Sequence, residues 1–330
     1  MADRQGVLVI GEVANSKLDS SSTEMLAHGR KLADSLKEPL SIALLGQDLG
    51  ALPKEAIAFG ADKVYAVTDP LLKEYQVDAY LAAITRLAQE HSPRVILLAK
   101  GPIGSEVGPR LAFRLDTGLI QDCLEIKIDA DKRLTGNRPV YGGNCTAVIT
   151  SVGELMMAII RPKTGDPLAR NDSRQGEVVA SSPRLEATVV KNRVVERVEQ
   201  PQQGIRLEDA SIVVSGGRGL GSAAPFSNEI KELADLLGAA IGASRAVVDS
   251  GWITHDHQVG LTGVTITPNL YITVGISGAS QHMAGCSGSK AIVAINRDSE
   301  AVIFNDCRYG VVGDWKKVLP AFIQQIKAMK

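Results

Sequence analysis

Short apolar runs alternate with amphipathic stretches from the first residues onward. No other feature of the chain restricts its fold as strongly. "GVLVIGEV" reads as a strand, and Thr23 to Ser35, "TEMLAHGRKLADS", carries its apolar residues at helical spacing. The pattern continues through the strand "LSIALLG", the short helix "PKEAIAFG", the strand "KVYAV", the helix "YLAAITRLAQEH", the strand "RVILLAK" and the helix "SEVGPRLAFRLD". Strands that alternate with helices predict βαβ units and a parallel sheet covered on both faces.

From about residue 119 the texture changes. "LIQDCLEIKIDADKRLTGNRPVYGGNCTAVITS" and "MMAIIRP" read as strands and turns with no helix between them, and "RLEATVVKNRVVERVEQ" reads as one more extended strand. These predict an antiparallel extension to the first domain. Glu199 to Ala210, "EQPQQGIRLEDA", is polar and holds Pro and Gly, so it is read as the linker. The expected domains are Met1 to Ile205 and Arg206 to Lys330. In the second, "SIVVSGGRGLGS" is a strand followed by a glycine turn. "FSNEIKELADLLGAAIGAS" is read as one helix, with Ser227 as its cap and Glu229 and Glu232 near its positive end. "RAVVDSGW", "NLYITVGISGASQH", "KAIVAINRD" and "AVIFNDCRYGVVGD" follow as strands with their turns, and a helix from Trp315 closes the chain.

Composition removes several function classes. With 36 Lys and Arg against 37 Asp and Glu, formal net charge is −1 and there is no basic block for nucleic acid. Aromatics make up only 4%, too few for base-stacking surfaces. No apolar run approaches the ~20 residues needed to span a bilayer. "MADRQGVLVIGEV" enters a strand almost at once, without a signal or transit pattern, so the expected location is cytoplasmic, of bacterial type. Cys123, Cys145, Cys286 and Cys307 are widely spaced, with no metal-ligand pairing.

The chemistry-bearing turns concentrate in the second half. "GGRGLGS", Gly216 to Ser222, follows a strand and precedes a helix but lacks the GxGxxG spacing of a dinucleotide fingerprint. Its glycines suit turn chemistry, and Arg218 suits a phosphate or a carboxylate. In "GASRAVVDSGW", Ser244 and Arg245 are placed at a strand start, where a surface arginine is the bland reading. "QVGLTG" sets Thr262 between glycines, ordinarily a β-turn, and "AINRD" and "VVGD" end strands. His282, one of only five histidines, follows the small-residue turn of "YITVGISGASQHMAGC", where it either caps a helix or touches a ligand. Read singly, each turn favours structure. Five successive strand ends bearing Gly, Ser, Thr, Asn or Asp favour one sheet edge with an extended ligand along it.

"SGGRGL", "GASRAVVDSGW", "QVGLTG", "LYITVGISGASQHMAG" and "AINRD" occur in an order and at spacings that resemble the FAD-binding domain of electron transfer flavoprotein α subunits. The resemblance is strong over Ser211 to Leu319 and weaker over the first domain. It implies one FAD in a doubly wound C-terminal domain, and a β subunit that completes a heterodimer and binds AMP or a second FAD. It implies an electron carrier rather than a stand-alone enzyme, receiving electrons from an acyl-CoA dehydrogenase or a similar flavoprotein. The alternative is a bifurcating complex that oxidises NADH, with this FAD as the exit flavin. In the resemblance Arg245 lies against the isoalloxazine ring, His282 near the pyrimidine carbonyl and Thr262 near N5. Ser244, Gln258 and Gln281 are neighbouring polar contacts. Ser277, Gly278, Ala279 and Ser280 cradle the pyrophosphate, while Asn296 and Asp314 match the adenosine end. Arg218, Val259, Gly260, Gly263 and Gly275 complete the cofactor set. Leu261 departs from relatives that carry glutamine there, which puts the tuning of the flavin by that position in doubt. A cation beside the reduced ring stabilises its negative charge by about 4 kcal/mol at ~4 Å and an effective dielectric of ~20, or roughly 1–2 kcal/mol after solvent screening. Arg245 and His282 are therefore expected to raise the potential of the first electron.

Overall fold

The computed structural model describes residues 4–14, 17–141, 145–192, 194–196 and 205–329. The chain divides into two compact units, Met1–Val140 with Cys145–Val198, and Tyr141–Asn144 with Glu199–Lys330. The first part of the expected linker, residues 199–204, lies outside the described residues. Its remainder holds a 3-10 turn, Leu207–Asp209.

The first unit runs β1 (Val7–Ile10), β2 (Val13–Ala14), β3 (Lys17–Leu18), α1 (Ser20–Leu36), β4 (Leu40–Gly46), α2 (Leu52–Ala58), β5 (Lys63–Thr68), α3 (Val77–His91), β6 (Val95–Ala99) and α4 (Pro102–Arg114). It continues with β7 (Leu119–Cys123), β8 (Glu125–Ile128), β9 (Leu134–Val140), β10 (Cys145–Thr150), β11 (Met156–Ile160) and β12 (Glu177–Ser181). Seven strands form a parallel sheet in the order β12-β5-β4-β1-β6-β11-β7. Its two faces follow the period of two. Val7 and Val9 pack with Met25, Leu26 and Leu32 of α1, whereas Leu8 and Ile10 pack with Leu81, Ile84 and Leu87 of α3 and Leu111 of α4. Asp19 starts α1 by accepting from the Ser21 N–H, and Lys37, left-handed at φ 58, ends it.

The antiparallel extension is present as the sheet β10-β9-β8. It takes only part of the helix-poor stretch. "MMAIIRP" instead enters the parallel sheet as β11, buried along its whole length between β6 and β7. An uninterrupted apolar run is what a strand covered on both faces requires. The described residues of "RLEATVVKNRVVERVEQ" form a 3-10 turn at Ala187–Val189 and no strand; residues 193 and 197–200 lie outside the described residues. The outer strand is β12, seven or so residues upstream, whose Glu177–Ser181 pairs with Lys63–Val67.

The second unit contains β13 (Ile212–Gly216), α5 (Ala224–Ser227), α6 (Glu229–Leu237), β14 (Ala240–Ala243), α7 (Arg245–Asp249), β15 (Leu270–Val274), α8 (Ser280–Met283), β16 (Ile292–Asn296), β17 (Tyr309–Val312) and α9 (Trp315–Met329). Its five strands are all parallel, in the order β14-β13-β15-β16-β17. This is a doubly wound sheet whose order reverses between β13 and β15. Val214, Ile272 and Ile295 pack against Ile230 and Leu233 of α6 and Leu319 and Ile323 of α9. Val213, Tyr271 and Ala294 pack on the other face against Val259, Ile266, Met283 and Ile303.

Three local expectations change here. The single helix over Phe226 to Ser244 is broken at Asn228, so Ser227 ends α5 instead of capping α6. Gly238, at φ +62, then stops α6 by donating to Ala234 and Asp235, and the following small residues form β14. Ser244 and Arg245 therefore sit at a strand's end and a helix's start, and "RAVVD" is α7, not a strand. "QVGLTG" is a loop, held by isolated bridges from Gln258 to Ala243 and from Val259 to Val264, and not a strand end. Among the described residues no helix is long and apolar enough to cross a membrane.

Candidate functional site

The carboxyl ends of the second sheet open on a cleft of about 680 Å³. That lies within the ~300–1,000 Å³ of ordinary ligand sites. The loop after β13 contributes Arg218 and Gly219, and the β14–α7 junction contributes Ser244, Arg245, Ala246 and Asp249. The loop 258–262 lines one wall, Gly275, Ile276, Ser277, Ala279, Gln281 and His282 follow from β15, and Asn296, Arg297 and Asp298 follow from β16.

Backbone contacts hold these loops in register. Gly219 N–H donates to the Gly275 carbonyl at 3.1 Å, and a Cβ on Gly275 (φ +66) would fall 3.0 Å from the Gly219 backbone. The two loops at the reversal point therefore approach so closely that Gly217, Gly219 and Gly275 leave no room for a Cβ. Val259 N–H donates to Ala243 at 2.9 Å and Leu261 N–H to Gln281 at 2.7 Å, so the 258–262 loop is fastened to β14 and α8.

The cleft grades from charged at its mouth to buried polar groups within. Arg218, Arg245 and Arg297 are exposed, as are Asp249 and Asp298. Three guanidiniums against two carboxylates leave a positive excess suited to an anion. Arg245 Nε is 3.4 Å from Asp249 Oδ2, an exposed i,i+4 pair worth only tenths of a kcal/mol. Deeper, Gln258 is 3% exposed and donates from Nε2 to Thr262 Oγ1 at 3.0 Å. Because Oγ1 accepts that bond, the Thr262 proton is left to donate elsewhere.

His282 is 7% exposed and lies 2.8 Å, through Nε2, from the hydroxyl of fully buried Tyr271. Its Nδ1 is buried without a hydrogen-bond partner. Burial pushes the imidazole pKa down to about 4, against the Val259 carbonyl, which favours the charged form without closing a hydrogen bond. The expected role of His282 as a cation thus changes. In this setting the ring is neutral near pH 7, and Arg245 alone of the pair carries fixed charge. Burial likewise raises the Tyr271 pKa, which keeps it a phenol. The Ser215 hydroxyl lies close enough to the phenol to oppose that rise, yet makes no hydrogen bond of its own.

Of the residues expected at the site, Arg218, Ser244, Arg245, Gln258, Val259, Gly260, Thr262, Gly275, Ser277, Ala279, Gln281, His282 and Asn296 line the cleft. Gly263, Gly278, Ser280 and Asp314 stand outside that lining. Gly263 closes the 258–262 loop by donating to Gly260. Gly278, at φ +83, lies where a side chain would strike the Ile303 backbone. Ser280 begins α8, and Asp314 Oδ1 accepts from Lys316 N–H at the start of α9. Asn296 lines the cleft but spends its amide on the fold, donating to Ile276 O at 2.9 Å and accepting from Asp298 N–H. Asp249, Arg297 and Tyr271 are additions. Asp249 is visible once "RAVVD" is read as helix, because i and i+4 then share a face. Tyr271 gives no local signal.

Known families account for both units. The family model described as "Electron transfer flavoprotein domain" matches residues 7–184, and "Electron transfer flavoprotein FAD-binding domain" matches residues 206–287. The chain is 44% identical over 331 residues to an electron transfer flavoprotein subunit alpha of Thermoanaerobacterium thermosaccharolyticum, all of both chains being covered. It is 42% identical to that of Megasphaera elsdenii, covering 100% of this chain and 98% of the other. It is also 36% identical to an acryloyl-CoA reductase electron transfer subunit beta of Anaerotignum propionicum, covering 98% and 96%. With full-length identity at this level, and with both halves matched in order, the chain belongs to the electron transfer flavoprotein family, as a member of its α-subunit branch.

Proposed function

We propose that the cleft of the second unit holds FAD and that the chain carries electrons between flavoprotein dehydrogenases and an acceptor, as one half of a heterodimer with a β subunit. The observation that carries this reading is the buried, unpartnered Nδ1 of His282 in a cleft that also presents Arg245 and a free Thr262 proton. A buried polar atom without a partner costs about 1–3 kcal/mol, and a ligand with complementary polar edges removes that cost. The small-residue loops Gly275–Ala279 and Gly217–Gly219 let a dinucleotide approach the backbone, and the arginine excess suits its phosphates.

FAD, when bound, supplies the capacity to take up and release electrons one at a time. The chain's own residues set the surroundings. Arg245 supplies positive charge at the mouth, His282 a neutral polar atom within, and Thr262 a hydroxyl oriented by Gln258. Gln281 holds its loop through a backbone bond to Leu261, whose apolar side chain, 46% exposed, offers no hydrogen bond to the cleft.

The partner surface is assigned to the antiparallel extension. β10 is exposed on the face that carries Thr146, Val148 and Thr150, with Val148 67% and nearby Val152 86% exposed. A β subunit covering them would bury apolar area that otherwise faces water. The Anaerotignum relative, an electron transfer subunit of an acryloyl-CoA reductase, supports electron exchange with an acyl-CoA dehydrogenase or a similar flavoprotein. Flavin and nucleotide analysis of this chain co-expressed with its β partner tests the reading. One FAD with AMP per heterodimer is expected of the simple carrier. Two FAD with reduction by NADH would establish the bifurcating complex instead, and a colourless heterodimer that takes up no FAD would refute both.

A further inference from the structure

Tyr271 does not line the cleft, yet its hydroxyl shares a hydrogen bond with the His282 ring. Its hydroxyl is 2.8 Å from Nε2, and the two rings lie 6.1 Å apart at 24°. Both side chains are buried, so neither proton can be handed to bulk water. A phenol has one proton and a neutral imidazole has one N–H, so the bond runs in one of two directions.

If His282 Nε2 carries the proton and donates to the phenol oxygen, Nδ1 is a bare lone pair. The phenol proton is then left without an acceptor, since Ser215 Oγ, its polar neighbour in the core, makes no hydrogen bond. That order leaves both the phenol proton and Nδ1 unpaired in the core. If Tyr271 donates to Nε2, the phenol proton is paired and only the proton on Nδ1 is left over. The proton of the ring then sits on Nδ1. The second order leaves fewer buried groups unpaired.

We infer that Tyr271 is a positioning residue: by donating its hydroxyl to Nε2 it holds His282 in the Nδ1–H form, so that the histidine offers the flavin a hydrogen-bond donor and not a lone pair. The inference rests on the flavin reading of the cleft. It gives a task to a buried tyrosine on a strand whose neighbours Ile272 and Val274 only fill the opposite core. A neutral donor there complements a ligand acceptor without the cost of burying a second charge.

The test is long-range proton–nitrogen NMR on the heterodimer with histidine nitrogens labelled, recorded with FAD and after its removal. In the wild type His282 is expected as the Nδ1–H tautomer in both states. In Tyr271→Phe the Nε2–H form should appear, FAD should bind about threefold to tenfold more weakly, and the potential of the first electron should fall. Finding Nε2–H in the wild type, or the same tautomer in Tyr271→Phe, overturns the inference. Should that variant not fold, the wild-type spectrum decides alone. His282→Gln separates the two layers. A correct tautomer with no change in FAD affinity, spectrum or potential in His282→Gln would remove the flavin contact while leaving the direction of the Tyr271 bond established.

Discussion

The sheet of the first unit reverses its strand order at β1, flanked by β4 and β6, and the sheet of the second reverses at β13, flanked by β14 and β15. In both, the chain leaves the central strand into a crevice of the kind that ordinarily takes ligands. The residues there differ in kind. After β1 come Gly11 and Glu12, and the Glu12 carboxyl lies beside Gly101, whose ideal Cβ would be 3.5 Å from Oε1. Burial, then the nearby Asp19, push its pKa up to about 7. After β13 come Gly217, Arg218 and Gly219, with no carboxylate, and the crevice widens into the 680 Å³ cleft. Topology supplies a reversal point twice. The side chain lodged in it decides whether an anion is repelled or received.

The largest expected effect comes from closing the second crevice. Gly275→Val puts a β-branched residue at φ +66 and against the Gly219 backbone. It should destabilise the second unit by about 3 kcal/mol or more and abolish FAD retention. Both tryptophans, Trp252 and Trp315, lie in that unit, so urea unfolding followed by their fluorescence reports it. Unchanged unfolding would show that the glycine contact is not needed.

The two crevices should also respond to pH in opposite directions. His282 is depressed from 6.5 to about 4, so the unfolded state binds the proton more tightly. The second unit is then most stable above about pH 6.5 and loses roughly 2–3 kcal/mol as pH falls through 4. His282→Gln should flatten that loss. Glu12 is raised from 4.5 to about 7, so the folded state binds the proton more tightly. The first unit is most stable below about pH 4.5, and its advantage fades by about 1–2 kcal/mol as pH rises through 7. Hydrogen exchange of β1 and α1 amides in Glu12→Gln should show a flatter profile over that range. Equal slopes in both units would break the comparison.

Smaller effects sharpen it. Arg245→Ala should keep FAD binding measurable but lower the potential of the first electron by on the order of 40–80 mV, the equivalent of about 1–2 kcal/mol. An unchanged potential would take Arg245 out of the flavin's surroundings. Asp249→Asn removes the exposed carboxylate paired with Arg245. It should raise the same potential by roughly 10–20 mV, in line with the few tenths of a kcal/mol of an i,i+4 pair; a fall would show that Asp249 positions the arginine.

The amino-acid order by itself determined the two α/β units, the parallel strands and the glycine-rich edge, because those rest on local periodicity and on turn residues adjacent in sequence. "RVILLAK" and "LYITV" could be read as strands from their own apolar runs, and Arg245, Thr262 and His282 from their ordered motifs. Pairing was beyond that reach. Whether "MMAII" joined the hairpins or the parallel sheet depended on β6, far upstream in the chain, and "GAAIGAS" became β14 because Gly238 ended α6 and β13 offered an open edge. Tertiary structure alone settled the charge of His282, since a local motif carries no information about burial or about the tyrosine waiting 2.8 Å from its ring.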